Sequence, residues 1–272
     1  MRSLKHKVVV LTGASSGIGR ATALALAAKG AKLHLVARRQ RLLESVCVEA
    51  RALGCSATPH ALDVRDTDAY SLMADQVHAE HGRVDVLINN AGVGVTKSFM
   101  ETSADDWEWI FDTNLHAVVH GIRMFLPTMI SQGDGTIVNV ASLAGVMANT
   151  LAAYSASKFA VVGMSESLLL EYGSKGLKVV VVCPGVIDTE IATASIVANR
   201  ANSASGPSLQ KLLAAYGAPP ELVARDIVKA LHRPRFMVPT PMHATVLRGI
   251  HRMVPELARM LIRRLSQEAD GG

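Results

Sequence analysis

The sequence predicts an α/β protein built as a doubly wound, mostly parallel sheet with helices on both faces. Apolar bursts of strand length alternate with segments of helical period along most of the 272 residues, and a glycine closes each of the first three helical segments. The composition agrees: 49% hydrophobic but only 4% aromatic, with 21 glycines, is the Ala, Val and Leu mixture of strands buried on both faces. Length alone would suggest about two domains, but the alternation runs on without a break. One domain is expected over 1–240, followed by an amphipathic helical extension over 241–272.

The first strand is "VVVLTG" at 8–13. Its apolar run follows a basic start, as in a signal peptide, but it is short and passes directly into a glycine turn, so it reads as a strand. A helix from Ile18 to Lys29 closes at Gly30, and "KLHLVA" at 32–37 makes the second strand. Helices from Arg39 to Leu53 and from Thr67 to His81 close at Gly54 and Gly82. A long helix begins near Ser103, which can cap it, with Asp105 and Asp106 at the positive end of its dipole; Pro127 should kink or end it. Further strands fall at "VDVLINN" (84–90), "TIVNVAS" (136–142) and "KVVVVCPG" (178–185). After about residue 189 small and polar residues without clear period predict a surface excursion, the expected substrate-binding region over 190–218.

Lys plus Arg 28 against Asp plus Glu 23 leaves a formal charge of +5, spread along the chain and not implying nucleic acid. Cys47, Cys55 and Cys183 lack CxxC spacing, which argues against a disulfide framework or zinc knuckle and for a cytoplasmic setting. No stretch approaches the roughly 18 apolar residues that span a bilayer. His116 and His120 are four apart but lack the glutamate of HExxH and a third ligand, so no metal is expected there. His78 and His81 read as a solvated helix face, and Cys183 as a buried thiol at a strand end. In the extension Leu247, Ile250, Val254, Leu257, Leu261 and Leu265 recur at helical spacing among Arg248, Arg252, Arg259, Arg263 and Arg264, with Pro255 starting a new helix. Such a basic amphipathic tail can pack on its own fold or a partner subunit, cover a cleft, or make peripheral contact with an anionic membrane.

Two motifs carry chemistry. "TGASSGIG" at 12–19 follows the first strand and opens a helix, where glycines let backbone N–H groups approach a pyrophosphate. Its GxxxGxG pattern fits GxGxxG poorly and lacks the Gly-Lys-Ser/Thr of a triphosphate loop. At the end of the second strand, where an acid would read a ribose 2′-OH, stands Ala37 followed by Arg38 and Arg39. Guanidinium groups there suit a 2′-phosphate, so the expected cofactor is NADP(H). In "YSASK", Tyr154 and Lys158 lie one helical turn apart, and a lysine there favours the phenolate of a group whose ordinary pKa is about 10. They could form a general acid/base pair.

TGxxxGxG at 12–19, Asp63 after a third strand, "NNAG" at 89–92, Asn114, Ser142, Tyr154 with Lys158, and "PGVIDT" at 184–189, in this order, resemble the short-chain dehydrogenase/reductase family. The resemblance covers about 5–190 closely and the chain to about 240 more loosely. It implies a Rossmann-type fold with a seven-stranded sheet. It further implies that Tyr154 is the catalytic acid/base, that Ser142 polarises the substrate carbonyl, and that Lys158 lowers the Tyr154 pKa and binds the nicotinamide ribose. Asn114 would hold a water relaying protons toward Lys158. Gly13, Ser15, Ser16, Gly17, Ile18 and Gly19 would line the pyrophosphate and adenosine side, with Asp63 and Val64 at the adenine. Asn90, Ala91 and Gly92 would lie along the central cofactor, and Pro184, Gly185, Ile187 and Thr189 near the carboxamide. The substrate would be a small carbonyl or alcohol of lipophilic kind, such as a steroid, retinoid or acyl derivative. A homodimer or homotetramer packed through the helices bearing Asn114 and Tyr154 is also implied. A 3-oxoacyl thioester reductase is the second reading, although "PRFMVPTPMHATV" lacks the GG element common near the seventh strand of such enzymes. A non-catalytic NADP(H)-binding sensor or scaffold is a third, but it has no reason to keep Ser142, Tyr154, Lys158 and Asn114 together.

Overall fold

The structure is a computed structural model that describes residues 1, 3–95, 97–189, 217–260 and 263. Strands β1 (Val8–Thr12), β2 (Lys32–Ala37), β3 (Ala57–Ala61), β4 (Val86–Asn89), β5 (Gly135–Val140), β6 (Leu177–Pro184) and β7 (Met237–Thr240) form one sheet of seven in the order β3-β2-β1-β4-β5-β6-β7. Every pairing is parallel. The order reverses between β1 and β4, and the loops leaving their C-terminal ends therefore part to opposite sides and open a crevice.

The strand pleat sorts the core into two layers. Val9 and Leu11 of β1, with Leu33, Leu35, Ile88 and Val180, face α1 (Gly17–Ala27), α2 (Gln40–Ala52) and α7 (Pro220–His232) through Leu26, Leu43, Val46, Ile227 and Leu231. Val8 and Val10, with Leu87, Ile137 and Val179, face α3 (Thr67–His81), α5 (Ala117–Ser131) and α6 (Ala152–Tyr172) through Tyr70, Val77, Ile122, Phe125 and Val161. Each such aliphatic side chain contributes about 1.5–3 kcal/mol on burial, which makes the near-continuous apolar strands obligatory rather than incidental.

Gly30, Gly54 and Gly82 all have positive φ just past their helices, as the sequence predicts. Ser103 caps α4 (Ala104–Phe111) in a reciprocal box: its Oγ accepts from Asp106 N at 3.1 Å, and the Asp106 carboxylate accepts from Ser103 N at 2.9 Å. Of the two outcomes expected at Pro127, an end of the helix is not what the structure has, and the long helix differs in a second way. Pro127 neither ends nor begins a helix; it lies inside α5, which runs on to Ser131, because one missing N–H costs less than the burial of Phe125 and Met129 on that helix returns. The long helix is also not uniform, since Asp112–His116 winds as a π-helix between α4 and α5.

The extension begins with α8 (Met242–Met253), which packs on β7 and buries Ala244, and a further helical stretch covers 255–260, starting at Pro255 as the sequence predicts. The excursion expected over 190–218 lies outside the described residues except at its end: Ile187 pairs in parallel with Ala218. Leu261 and Leu265 of the tail also lie outside them.

Candidate active site

The glycine turn and the "NNAG" segment meet where β1 and β4 end. Asn90 Nδ2 donates to Thr12 O (3.0 Å) and Gly13 O (3.2 Å), and the N–H groups of Asn90 and Ala91 both donate to Thr12 Oγ1 at 3.0 Å. A Cβ on Gly19 would stand 2.0 Å from Gly13 O, and one on Gly13 would stand 2.8 Å from Ala91 Cα. The first turn of α1 is thereby closed onto β1 with its N–H groups facing the crevice, a cradle of the shape a pyrophosphate requires. Ile18 and Gly19 sit in that first turn, and Thr189 comes over it from the far side, its Cγ2 3.0 Å from where a Gly17 Cβ would be. Thr12 is a residue that sequence reasoning missed, although it heads the motif.

Arg38 and Arg39 are exposed at the end of β2, beyond the buried Ala37. Arg39 reaches back to the turn, donating to Ser16 Oγ (2.7 Å) and Ser15 Oγ (3.2 Å). Arg38 Nη1 lies 3.8 Å from the Asp63 carboxylate. That carboxylate is mainly engaged by Arg65, 2.8 Å away, whose hydrogen bonds hold it below its ordinary pKa; Arg65 is a second residue the motif reading did not anticipate. Val64 is buried beside them.

On the other side of the crevice, Ser142 caps a 3₁₀ turn over Leu143–Gly145, its Oγ accepting from Ala144 N at 3.1 Å. A Cβ on Gly145 would stand 2.6 Å from Lys158 O, so this turn lies directly against α6. The approach sets the Ser142 hydroxyl where it lowers the pKa of the Tyr154 phenol. Lys158 is 5% exposed, donates from Nζ to Val140 O at 3.1 Å, and lies 5.8 Å from the Tyr154 ring centroid. Asn114, held by the π-helix, accepts from Val93 N (2.8 Å) and donates to Val93 O (3.0 Å) and Ser157 Oγ (3.1 Å). Gly92 faces both partners: its Cβ position is 3.2 Å from Asn114 Oδ1 and 3.4 Å from Lys158 Nζ.

The electrostatics correct one expectation. The Tyr154 phenol is not brought below its ordinary pKa in this structure: burial raises it, and the Ser142 hydroxyl is what opposes the rise. Burial also brings Lys158 itself down to about 8. The ammonium is turned to Val140 O, 5.8 Å from the Tyr154 ring centroid, and desolvation prevails at the phenol. Pro184 ends β6, Cys183 is buried as expected with burial pushing its thiol up to about 12, and Gly185 meets the ring of His243 at the start of α8. His116 pairs with Asp112 at 2.8 Å. The reading of His78 and His81 as a solvated face is wrong: His78 is half-buried against α5 and the His81 side chain is 8% exposed, turned to His34 on the sheet.

A family model described as short chain dehydrogenase matches residues 7–199. The chain belongs to the short-chain dehydrogenase family. Among relatives of this family, the Probable oxidoreductase EphD of Mycobacterium tuberculosis is 36% identical over 94% of this chain, which spans only 44% of that protein. The 3-oxoacyl-[acyl-carrier-protein] reductase FabG of Thermotoga maritima is 36% identical over 68% of this chain and 76% of its own length. Among solved structures, a short-chain dehydrogenase/reductase from Burkholderia phymatum in complex with NAD superposes with a TM-score of 0.85 at 32% identity, covering 94% of this chain and 96% of that one. A metagenomic short-chain oxidoreductase in complex with NADP gives 0.71 at 32% identity over 87% and 96%. The short-chain dehydrogenase fold is thus that of this chain, and these two solved structures hold NAD and NADP respectively. No described helix is long and apolar enough to cross a membrane.

Proposed function

We propose that the protein is an NADP(H)-dependent reductase, or the reverse alcohol dehydrogenase, acting on a carbonyl or secondary alcohol at Tyr154. The observation that carries this reading is the single cluster of Ser142, Tyr154, Lys158 and Asn114 beside the glycine cradle. The cradle fits a dinucleotide: Gly13 and Gly19 leave backbone where side chains would stand, and Arg38 and Arg39 offer guanidinium groups, with no acid at Ala37, for a 2′-phosphate. When bound, the nicotinamide supplies or accepts the hydride. Ser142 and Tyr154 hydroxyls donate to the carbonyl oxygen, and Tyr154 gives the proton as negative charge develops there. Its high phenol pKa keeps that proton in place at neutral pH, which suits reduction. Asn114 and Lys158, the latter charged below about 8, can together hold a water beside Gly92 through which the proton is restored.

Exposed Met242 and Val246 flank His243 on α8, which supports a lipophilic substrate of steroid, retinoid or acyl kind. The likeness to FabG favours an acyl thioester as the second reading. Oxidation of NADPH and NADH is followed against steroids, retinoids, acyl thioesters, sugars and simple aldehydes. Preference for NADPH is expected, and equal use of both cofactors rejects the role of Arg38. Tyr154→Phe should lower turnover about 10²–10⁴-fold with NADPH binding intact. Unchanged turnover would return the protein to a sensor or scaffold. Exposed Met253, Val254, Leu257 and Met260 support peripheral membrane contact of the tail; it predicts that deleting residues 245–272 releases the protein from anionic liposomes, and equal sedimentation of both forms rejects it.

A further inference from the structure

A second cluster of chemistry-bearing side chains lies near the sheet's other end, where α3 finishes before the chain enters β4. His34 on β2 is 2% exposed, and both of its ring nitrogens face another imidazole. Nδ1 is 3.0 Å from His60 Nε2 on β3, and Nε2 is 2.8 Å from His81 Nε2 in the last turn of α3. Glu80 Oε1 is 3.3 Å from the same His81 nitrogen. We propose that His34, Glu80 and His81 bind a divalent transition-metal ion of the zinc class, with His60 as the positioning partner of His34.

The geometry carries this in three steps. A neutral imidazole has one N–H and one lone pair, so donation from His34 Nδ1 to His60 Nε2 leaves the lone pair on His34 Nε2. That lone pair, the His81 Nε2 and the Glu80 carboxylate converge, their ligand atoms all within 4.8 Å of one another. Without a cation, His81 must turn its proton toward His34; with one, that proton sits on His81 Nδ1 and all three lone pairs point inward. Second, zinc bonds of about 2.0–2.1 Å set ligand atoms about 3.3 Å apart in a tetrahedron. The Glu80–His81 distance of 3.3 Å already meets this, and the His34–His81 pair at 2.8 Å has only to open slightly. Third, the donor set of two imidazoles and one carboxylate, with water as fourth ligand, suits zinc. His60 on the outer nitrogen of His34 is the second contact by which such sites orient a ring. Burial holds His34 neutral, down to about 4, as a ligand must be, while the Glu80 side chain, 54% exposed, gives the ion its way in. The ion would clamp β2 to the end of α3, on residues that play no part in the chemistry at Tyr154.

The test uses the metal-stripped full chain without an affinity tag, titrated with ZnCl2 by calorimetry and with CoCl2 in the visible spectrum. One ion per chain with Kd below about 10 µM is expected, together with a rise in melting temperature that EDTA reverses. His81→Asn and Glu80→Gln should each weaken binding at least about tenfold, and His60→Asn about 10–100-fold. Reductase turnover should stay within about twofold with or without zinc, since the reaction lies elsewhere on the sheet. Because Glu80 is exposed, Glu80→Gln keeps the test open even if His81→Asn fails to fold. Binding weaker than this, binding unchanged in Glu80→Gln, or binding lost instead in Cys55→Ala overturns the proposal.

Discussion

Lys158 shows what a buried ammonium costs the fold that holds it. A fall from 10.5 to about 8 corresponds to a destabilisation on the order of 3 kcal/mol at neutral pH. The unfolded chain keeps this proton up to about pH 10.5 while the folded chain releases it near 8, so this contribution to stability grows as pH rises between those values. Lys158→Met should therefore raise the melting temperature at pH 7, remove the rise between pH 8 and 10.5, and abolish turnover; a less stable variant would mean that the Val140 hydrogen bond outweighs burial. Gly145→Ala tests the neighbouring contact. Its methyl would meet Lys158 backbone at 2.6 Å, so the turn bearing Ser142 must retreat from Tyr154. Turnover is expected to fall about tenfold or more with dinucleotide affinity little changed, and stability by about 1–3 kcal/mol. Tyr154, Lys158, Ser142 and Asn114 were legible because their chemistry is written in the side chain. Gly145 and Thr12 were not, because a glycine that admits a neighbouring backbone and a threonine that ties two loops look like ordinary turn residues until those loops are placed.

Among the elements, β1 and β4 are tied at their starts by Asp85, which is 2% exposed and accepts from Lys7 Nζ (2.7 Å), Arg83 Nη2 (2.6 Å) and Val8 N (2.9 Å). Burial pushes its carboxyl up, but these donors together outweigh it and leave the pKa below the ordinary value. The stabilisation is present above the unfolded value of about 3.9 and is lost as pH falls through the lower folded value. Asp85→Asn should cost about 3 kcal/mol at pH 7, the low end for a broken buried pair because Lys7 and Arg83 reach solvent, and should flatten the acid limb of the stability curve. Denaturant melts from pH 2 to 7 would show both. The positions of β1, β2, β4, β5 and β6 and of the first helix ends were readable because buried parallel strands are apolar runs and helix ends carry glycine, whereas β3 and β7 are short, partly exposed and interrupted by proline. The π-helix was not readable either: one extra residue in a turn leaves the periodic pattern of 103–131 almost unchanged, yet it sits where Asn114 joins Val93 to Ser157.

Over the whole molecule, Phe159 and Leu170 stand exposed on α6, eleven residues and so about three turns apart on one side of the helix. If subunits pack through this helix, Phe159→Glu with Leu170→Glu should lower the mass measured by light scattering to that of a monomer. An unchanged mass would place the interface elsewhere. Helices on both faces of one mostly parallel sheet followed from alternation alone, whereas the meeting of His34, His60 and His81 joins residues from three elements, which no local pattern brings together. The parallel bridge between Ile187 and Ala218 has one more consequence. It staples the chain's departure and return side by side, so the number and kind of residues between them can vary while the catalytic frame stays fixed. Closure entropy rises by only about 0.6 kcal/mol per doubling of length. On the proposed function, transplanting a relative's version of this segment between the two anchors should redirect which compound is accepted while leaving turnover dependent on Ser142, Tyr154, Lys158 and Asn114.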